Sequence, residues 1–255
     1  MVTDWLILQT SSEPETPLSS GQAYVFKVEI NAEVYALKVF KFFKPSTYRA
    51  DLGPIRGRKV TDEMLAFHTD PFYAECRAYA HIQEKQQEQN LRRRNFAHCY
   101  GFMALKKTDE EVVASYGAEL WDIPRDDEYR RKAEGSPVRA IVKEYVDHDV
   151  VMDVPALKRM LKGIKWLNRH GVLNHDIHPA NFKGGLLVDF GSSWTRKPHC
   201  LWDNMPEQKL KVIERADLIK FQEMANEEGF GAKVRAIPNR QYKELRPRRI
   251  GGRTS

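Results

Sequence analysis

The stretch "NHDIHPANF" at 174–182, followed at once by "LLVDFG" at 186–191, constrains this chain more than any other part of it. Asp176, Asn181 and Asp189 fall within one short span, and Gly184-Gly185 predicts a tight hairpin between the last two. An oxygen-preferring cation needs convergent Asp and Asn oxygens, and a transferring phosphoryl group needs a carboxylate to orient the attacking hydroxyl. The span is delivered by "DVPALKRMLKGIKWLNRHG" (153–171). There Asp153 caps a helix, Leu157, Met160, Leu161, Ile164 and Leu167 share one face, and Gly171 stands past the end.

Upstream, "QAYVFKVEINAEVYALKVFKFF" (22–43) alternates apolar and polar residues about Asn31-Ala32, the pattern of two antiparallel strands. Residues 44–60, with Pro45, Gly53, Pro54 and Gly57, read as a loop. "DPFYAECRAYAHIQEKQQEQN" (70–90) opens with a capping Asp and a Pro and continues at helical spacing. Segments 97–106 and 139–146 read as strands, and the polar stretch between them, 107–137, as a loop to which "ASYGAELW" can add a strand. Beyond Asp189, only 206–229 predicts a substantial helix.

With 255 residues, 42% apolar and 30% charged, the chain suits a globular domain of two lobes, and it holds no apolar run long enough to span a bilayer. "MVTDWLILQT" lacks the basic start and cleavage site of a secretory signal, so the expected location is the cytosol or nucleus, with the cytoplasm preferred. Cys76, Cys99 and Cys200 have neither disulfide nor metal-ligand spacing and read as buried thiols. Net charge is +6, yet residues 233–255 carry eight Lys/Arg against Glu244 alone. Such a tail is either a solubilising arm or an arm drawn to phosphate polymers. Arg92, Arg93 and Arg94, and then Arg130, Arg131 and Lys132, form two smaller basic clusters.

The order of these motifs resembles the protein-kinase fold: an α+β, two-lobed architecture with a β-rich N-lobe and, here, a truncated helical C-lobe. In that comparison "VYALKVF" supplies Lys38, a phosphate-holding lysine, and Glu75 is its helix partner. Asp176 matches the catalytic base, and Asn181 and Asp189 the magnesium ligands. The implied division is a kinase-like N-lobe with insertions over 1–146, a shortened C-lobe over 147–232, and the basic tail from 233 to 255. The departures are specific. "LSSGQAYVFKV" keeps only Gly21 where kinases have three glycines closing over the phosphates, and His178 replaces a lysine. After Gly191 there is no room for a peptide-docking lobe, so protein phosphorylation is not expected.

"DPFYAECRAYAHIQ", "HDIHPANF" and "VDFGSSWTRKPH" together resemble a fungal kinase-like family often labelled as a kinetochore subunit. Within it, the size and basic character of the chain resemble the arginine-containing cyclodipeptide synthases. That resemblance implies an aminoacyltransferase making a cyclo(Arg-Xaa) diketopiperazine without ATP or another cofactor. Its expected partner is aminoacyl-tRNA, including arginyl-tRNA, with no membrane and no obligate protein partner. Asp176, Lys38, Glu75 and Asp189 are then the catalytic candidates, and Asn181, His178, Ser192 and Trp194 the substrate-binding ones. Arg92, Arg93, Arg94, Arg246, Arg248 and Arg249 would contact the nucleic acid. His175 is expected to hydrogen-bond backbone beneath the loop, and Trp194 and His199 either to line the pocket or to pack the short lobe. Two other readings stay open. One is a small-molecule phosphotransferase using ATP and Mg, with Asn181 and Asp189 as metal ligands, and the other is a catalytically silent kinetochore or scaffold protein.

Overall fold

The computed structural model describes residues 6–7, 17–49, 52, 57–90, 95–196 and 199–238. At the N-terminus, the short strands β1 (Leu6–Ile7) and β2 (Leu18–Ser19) both pair with β3 (Ala23–Ile30). β3 forms the expected hairpin with β4 (Glu33–Phe40), in register from Ala23 opposite Phe40 to Ile30 opposite Glu33. Asn31 and Ala32 turn the chain with φ of 53° and 62°, the doubly left-handed backbone that matches the twist of the flanking strands. β5 (Cys99–Ala104) and β6 (Arg139–Glu144) complete an antiparallel sheet of order β1-β3-β4-β6-β5.

The two-residue period of the strands divides this sheet into two chemically different faces. Tyr24, Phe26, Val28, Leu37, Val39 and Ala140 point to the outer face and bury against Leu105, Val113 and Leu120. Lys38, Phe40, Ile141 and Lys143 point the other way, toward the rest of the molecule, and all are buried. That outer face is covered by the stretch expected to be a loop, which contributes helix α3 (Lys107–Ser115) and a later short helix, α4 (Glu128–Ala133). Only Val113 of α3 is buried, so its apolar periodicity is too brief to read in sequence. Just beyond the loop expected at 44–60, α1 (Asp62–Thr69) also forms, its N-terminus capped by the Thr61 hydroxyl accepting from the Met64 N–H.

Helix α2 (Pro71–Glu88) follows directly, with Asp70 accepting from Phe72 N–H as the sequence predicts. It joins the lobes: Ala78, Tyr79 and Ile82 pack with Leu157, Ile164 and Leu167 of α5 (Val154–Arg169) and with Phe190. Burying each such aliphatic side chain stabilises the lobe by about 1.5–3 kcal/mol. After α5 come β7 (Val172–Leu173), a tight turn at Pro179–Asn181, and the hairpin β8 (Phe182–Lys183) and β9 (Leu186–Leu187). Gly184 and Gly185, at φ 55° and 80°, make its turn. β10 (Trp194–Thr195) returns to pair with β7, and α6 (Cys200–Asn204) and α7 (Glu207–Glu227) close the lobe. Val234 and Ala236 are buried in the α5–α7 core, so the first residues of the basic stretch belong to the lobe rather than to an arm. The architecture is the α+β, two-lobed, kinase-like one, with a β-rich N-lobe and a short helical C-lobe.

Candidate functional site

Four charged side chains alternate in sign across the junction of the lobes. Lys38 Nζ lies 2.8 Å from Glu75 Oε2 and 2.6 Å from Asp189 Oδ1. The other oxygen of Glu75 lies 2.7 Å from Lys143 Nζ, which also donates to the Val188 carbonyl at 2.7 Å. The side chains of Lys38 and Glu75 are 1% and 0% exposed, that of Asp189 23%. Burial alone would lower the Lys38 pKa, but Asp189 and then Glu75 outweigh it and hold the ammonium above its ordinary value. Burial likewise would raise Asp189, and Lys38 followed by Lys143 holds it below the usual carboxylate range. The chain Lys143–Glu75–Lys38–Asp189 is neutral overall, the condition under which charges this deep are tolerated. Lys143 was not singled out in the sequence. Its position on β6, on the same sheet face as Lys38, is the signal that marks it.

The loop carrying Asp176 is held from below by a residue that the sequence motifs do not flag. Asp217 of α7 accepts hydrogen bonds from the backbone N–H of Asn174 and of His175, each at 2.8 Å. Burial pushes its carboxyl up to about 6 against the pull of those two donors. Asn174 then links the halves of the site: its amide donates to the Asp189 carbonyl at 2.7 Å and its oxygen accepts from the Asp176 N–H at 3.1 Å. Asn181 donates to the Asp176 carbonyl at 2.8 Å and to its Oδ2 at 3.0 Å, and His178 Nε2 stands 3.5 Å from the same oxygen.

His175 departs from expectation. It is the main-chain N–H that makes its anchoring bond, while the ring Nε2 has no hydrogen-bond partner among the described residues. Residue 175 takes φ 66°, which turns its ring edge-on to Trp194 at 4.8 Å, and burial lowers its pKa to about 4.

A cleft of about 540 Å³ opens over this arrangement, roofed by Leu18, Val25 and Ala36 and floored by Asp176, Asn181 and Asp189. His178 and Ser192 also line it, so the structure gathers these candidates around one cavity, with Lys38 and Glu75 behind it. Trp194 does not belong to that wall. It stacks on His199 at 5.0 Å and packs beside Leu65, Cys200 and Leu201, because β10 pairs with β7 on the side away from the cleft. The loop that lacks the glycines is filled instead by Gln22, whose amide donates to Ser192 Oγ at 3.2 Å. A Cβ on Gly191 would stand 2.6 Å from Gln22 Oε1, so Gln22 lies against the turn after Asp189. Arg92, Arg93, Arg94, Arg246, Arg248 and Arg249 lie outside the described residues. Of the third basic cluster, Arg130 stacks on Trp121 and Lys132 pairs with Glu128.

With that geometry in place, comparison with known families decides the membership: the family model described as kinetochore Sim4 complex subunit FTA2 matches residues 15–194. The chain belongs to the FTA2 family. No curated protein matches it. The match runs from just before β2 through the lysine, the helix glutamate, the Asp176 loop and the Asp189 turn, ending at Trp194.

Membership corrects three expectations. The FTA2 description is that of a subunit in a protein complex, which overturns the tRNA-dependent cyclodipeptide synthase reading, with its diketopiperazine product. It also overturns the expected partners, aminoacyl-tRNA with no protein partner, and the preference for the cytoplasm. Basic charge and a glycine-poor loop prompted those expectations, and neither property specifies a ligand: positive charge attracts acidic protein surfaces as readily as nucleic acid.

Proposed function

We propose that this chain is a non-catalytic, protein-binding subunit of a kinetochore assembly in the nucleus, using a kinase-like fold as its framework. The observation that carries this reading is the match to the FTA2 kinetochore-subunit family over 15–194. The cleft supports it. Lys38 keeps the partner Glu75 that the kinase resemblance expects, but it is also held by Asp189, the carboxylate that would face a cation, and Glu75 is shared with Lys143.

A magnesium nucleotide, the group the fold implies, fits these residues poorly. Asp189 and Asn181 are the side chains that would hold the cation and Lys38 the one that would meet phosphate. Asp189 Oδ1, however, already takes both Lys38 and the Gly191 N–H, at 2.6 and 2.8 Å, and Gln22 rests on Gly191. Phosphate oxygens there would have to displace Gln22 and compete with Asp189 for one ammonium.

The test is quantitative recovery of partners on the tagged full chain from cell nuclei, beside Asp176→Asn and Lys38→Met. The reading expects the same kinetochore proteins, in the same amounts, from wild type and Asp176→Asn. Absence of kinetochore proteins from the wild-type sample sinks it.

A second reading, a small-molecule phosphotransferase, is favoured by one observation: Asp176 remains 49% exposed at the mouth of the cleft, oriented by Asn181. It requires that ATP with Mg²⁺ raise the melting temperature of the wild type but not of Lys38→Met. No shift in either removes it.

A further inference from the structure

Sharing no lining residue with the cleft, a second open groove of about 770 Å³ is enclosed by α2, the end of α5 and the β7–β10 pair. Arg169, Arg196, Trp202 and Glu214 are among its lining residues. The guanidinium of Arg196 lies 5.2 Å over the Trp202 ring, and its backbone N–H is fixed to the Gly171 carbonyl at 2.7 Å. Arg169 donates Nε–H to the Lys165 carbonyl of its own helix at 3.1 Å, which leaves its terminal nitrogens for solvent. Both arginines are exposed, and among the described residues neither stands within ion-pair distance of a carboxylate. Lys85, at the rim, is by contrast bound to Glu88 at 2.8 Å.

The end of α5 would ordinarily turn bare carbonyls, and hence partial negative charge, toward such a groove. Here the His170 ring pairs its Nδ1 with the Trp166 carbonyl at 2.7 Å, and His81 Nε2 covers the His170 carbonyl at 2.7 Å. Gln89, its own oxygen held by the Trp166 Nε1–H, meets the remaining His170 nitrogen at 2.6 Å. What the groove presents is therefore two unpaired guanidinium forks, one braced on an aromatic ring, against the single carboxylate of Glu214.

We propose that this groove docks an acidic, carboxylate-bearing peptide segment of a partner protein, the Arg196 and Arg169 forks each taking one carboxylate. The proposal rests on the protein-binding reading above and names the chemistry of one contact. Planar guanidinium groups match carboxylates in a two-point geometry, and the stacked Trp202 holds one of them in place. Glu214 argues against nucleic acid, because a continuous phosphate backbone cannot avoid it, whereas a peptide can space its carboxylates on either side.

The experiment is fluorescence anisotropy on the full chain with a short labelled peptide of alternating glutamate and serine, a lysine–serine peptide and a DNA duplex as comparators. The wild type is expected to bind the glutamate peptide, with affinity falling as salt rises, and not the lysine peptide. Arg169→Ala with Arg196→Gln should weaken it by about tenfold or more, while Arg131→Ala leaves it unchanged. Should the double variant melt early, Arg169→Glu alone, on an exposed helix end, makes the same test. Absence of wild-type binding, or binding that the variants leave intact, overturns the proposal. So does duplex binding that the same variants abolish, which would assign the groove to nucleic acid. Nuclear partner recovery that persists while the peptide fails to bind refutes the groove and leaves the subunit reading standing.

Discussion

Replacing Glu75 with alanine removes a buried charge shared by two buried lysines. Glu75 has no exposed surface and gives one oxygen to each of two buried lysines, at 2.8 Å to Lys38 and 2.7 Å to Lys143. Without it Lys38 keeps Asp189, but Lys143 keeps only the neutral Val188 carbonyl. A buried ammonium stripped of its counter-ion costs about 3–5 kcal/mol. For a chain of this size each kcal/mol corresponds to about 2–4 °C, so the melting temperature should fall by roughly 6–20 °C. The informative comparison is Glu75→Leu with Lys143→Leu. That pair of changes deletes more polar contacts yet leaves no unpaired charge, and the Val188 carbonyl keeps the Tyr79 hydroxyl at 3.4 Å, so the loss falls short of the roughly 1–3 kcal/mol of an orphaned carbonyl. Urea titrations followed by circular dichroism measure both. The reasoning is refuted if Glu75→Ala costs under about 1 kcal/mol, or if the double variant is less stable than the single one.

Three further outcomes are expected. Asp217→Ala orphans the N–H groups of Asn174 and His175, at about 1–3 kcal/mol each; an unchanged urea midpoint would show that Asp217 does not carry the loop. Stability should fall as pH drops from 6.5 toward 4. Burial lowers His68 and His175 to about 4 and His199 to about 3, Arg77 also acting on His68, and His68 and Arg77 on His199. Over that window the unfolded chain takes up protons that the folded one refuses, at up to about 3 kcal/mol per histidine. Asp217, raised to about 6, binds its proton earlier in the folded state and offsets about one histidine over the same range. A flat urea midpoint between pH 6.5 and 4.5, or one that rises on acidification, would contradict this. Finally, Gly184→Ala should cost about 1–2 kcal/mol for its left-handed backbone, with φ at 55°. A further cost comes from moving His148 Nε2, 2.8 Å from the new Cβ, and a melting temperature equal to wild type would count against that turn geometry.

What sequence could reveal followed the range over which each signal acts. The β3–β4 hairpin, α2 with its Asp70 cap and α5 with its apolar face are set by local periodicity and capping, and the structure shows all three. Asp176, Asn181 and Asp189 lie in one short span, so their ordered motif was visible, and the Gly184-Gly185 turn explains why they converge. Lys143, Asp217 and Gln22 were missed because each acts through a partner distant in the chain: Glu75, the Asn174–His175 backbone and Ser192. A buried Lys in a strand or Asp in an amphipathic helix looks like a solvated residue until its partner is known. The sequence leaves Trp194 between the pocket wall and the lobe core for the same reason, since its neighbour His199 and the β7 pairing decide which way it faces. The helices at 107–115 and 62–69 escaped notice because each buries too few apolar residues to show a period.

As proposed above, this FTA2-family chain serves a kinetochore assembly through binding rather than through chemistry in its cleft. Chromatin immunoprecipitation of the tagged full chain at centromeric DNA, wild type beside Asp176→Asn, tests it most directly. Centromeric enrichment is expected to be equal in the two. Enrichment absent from the wild type, or lost when only the Asp176 carboxylate is changed, would contradict it.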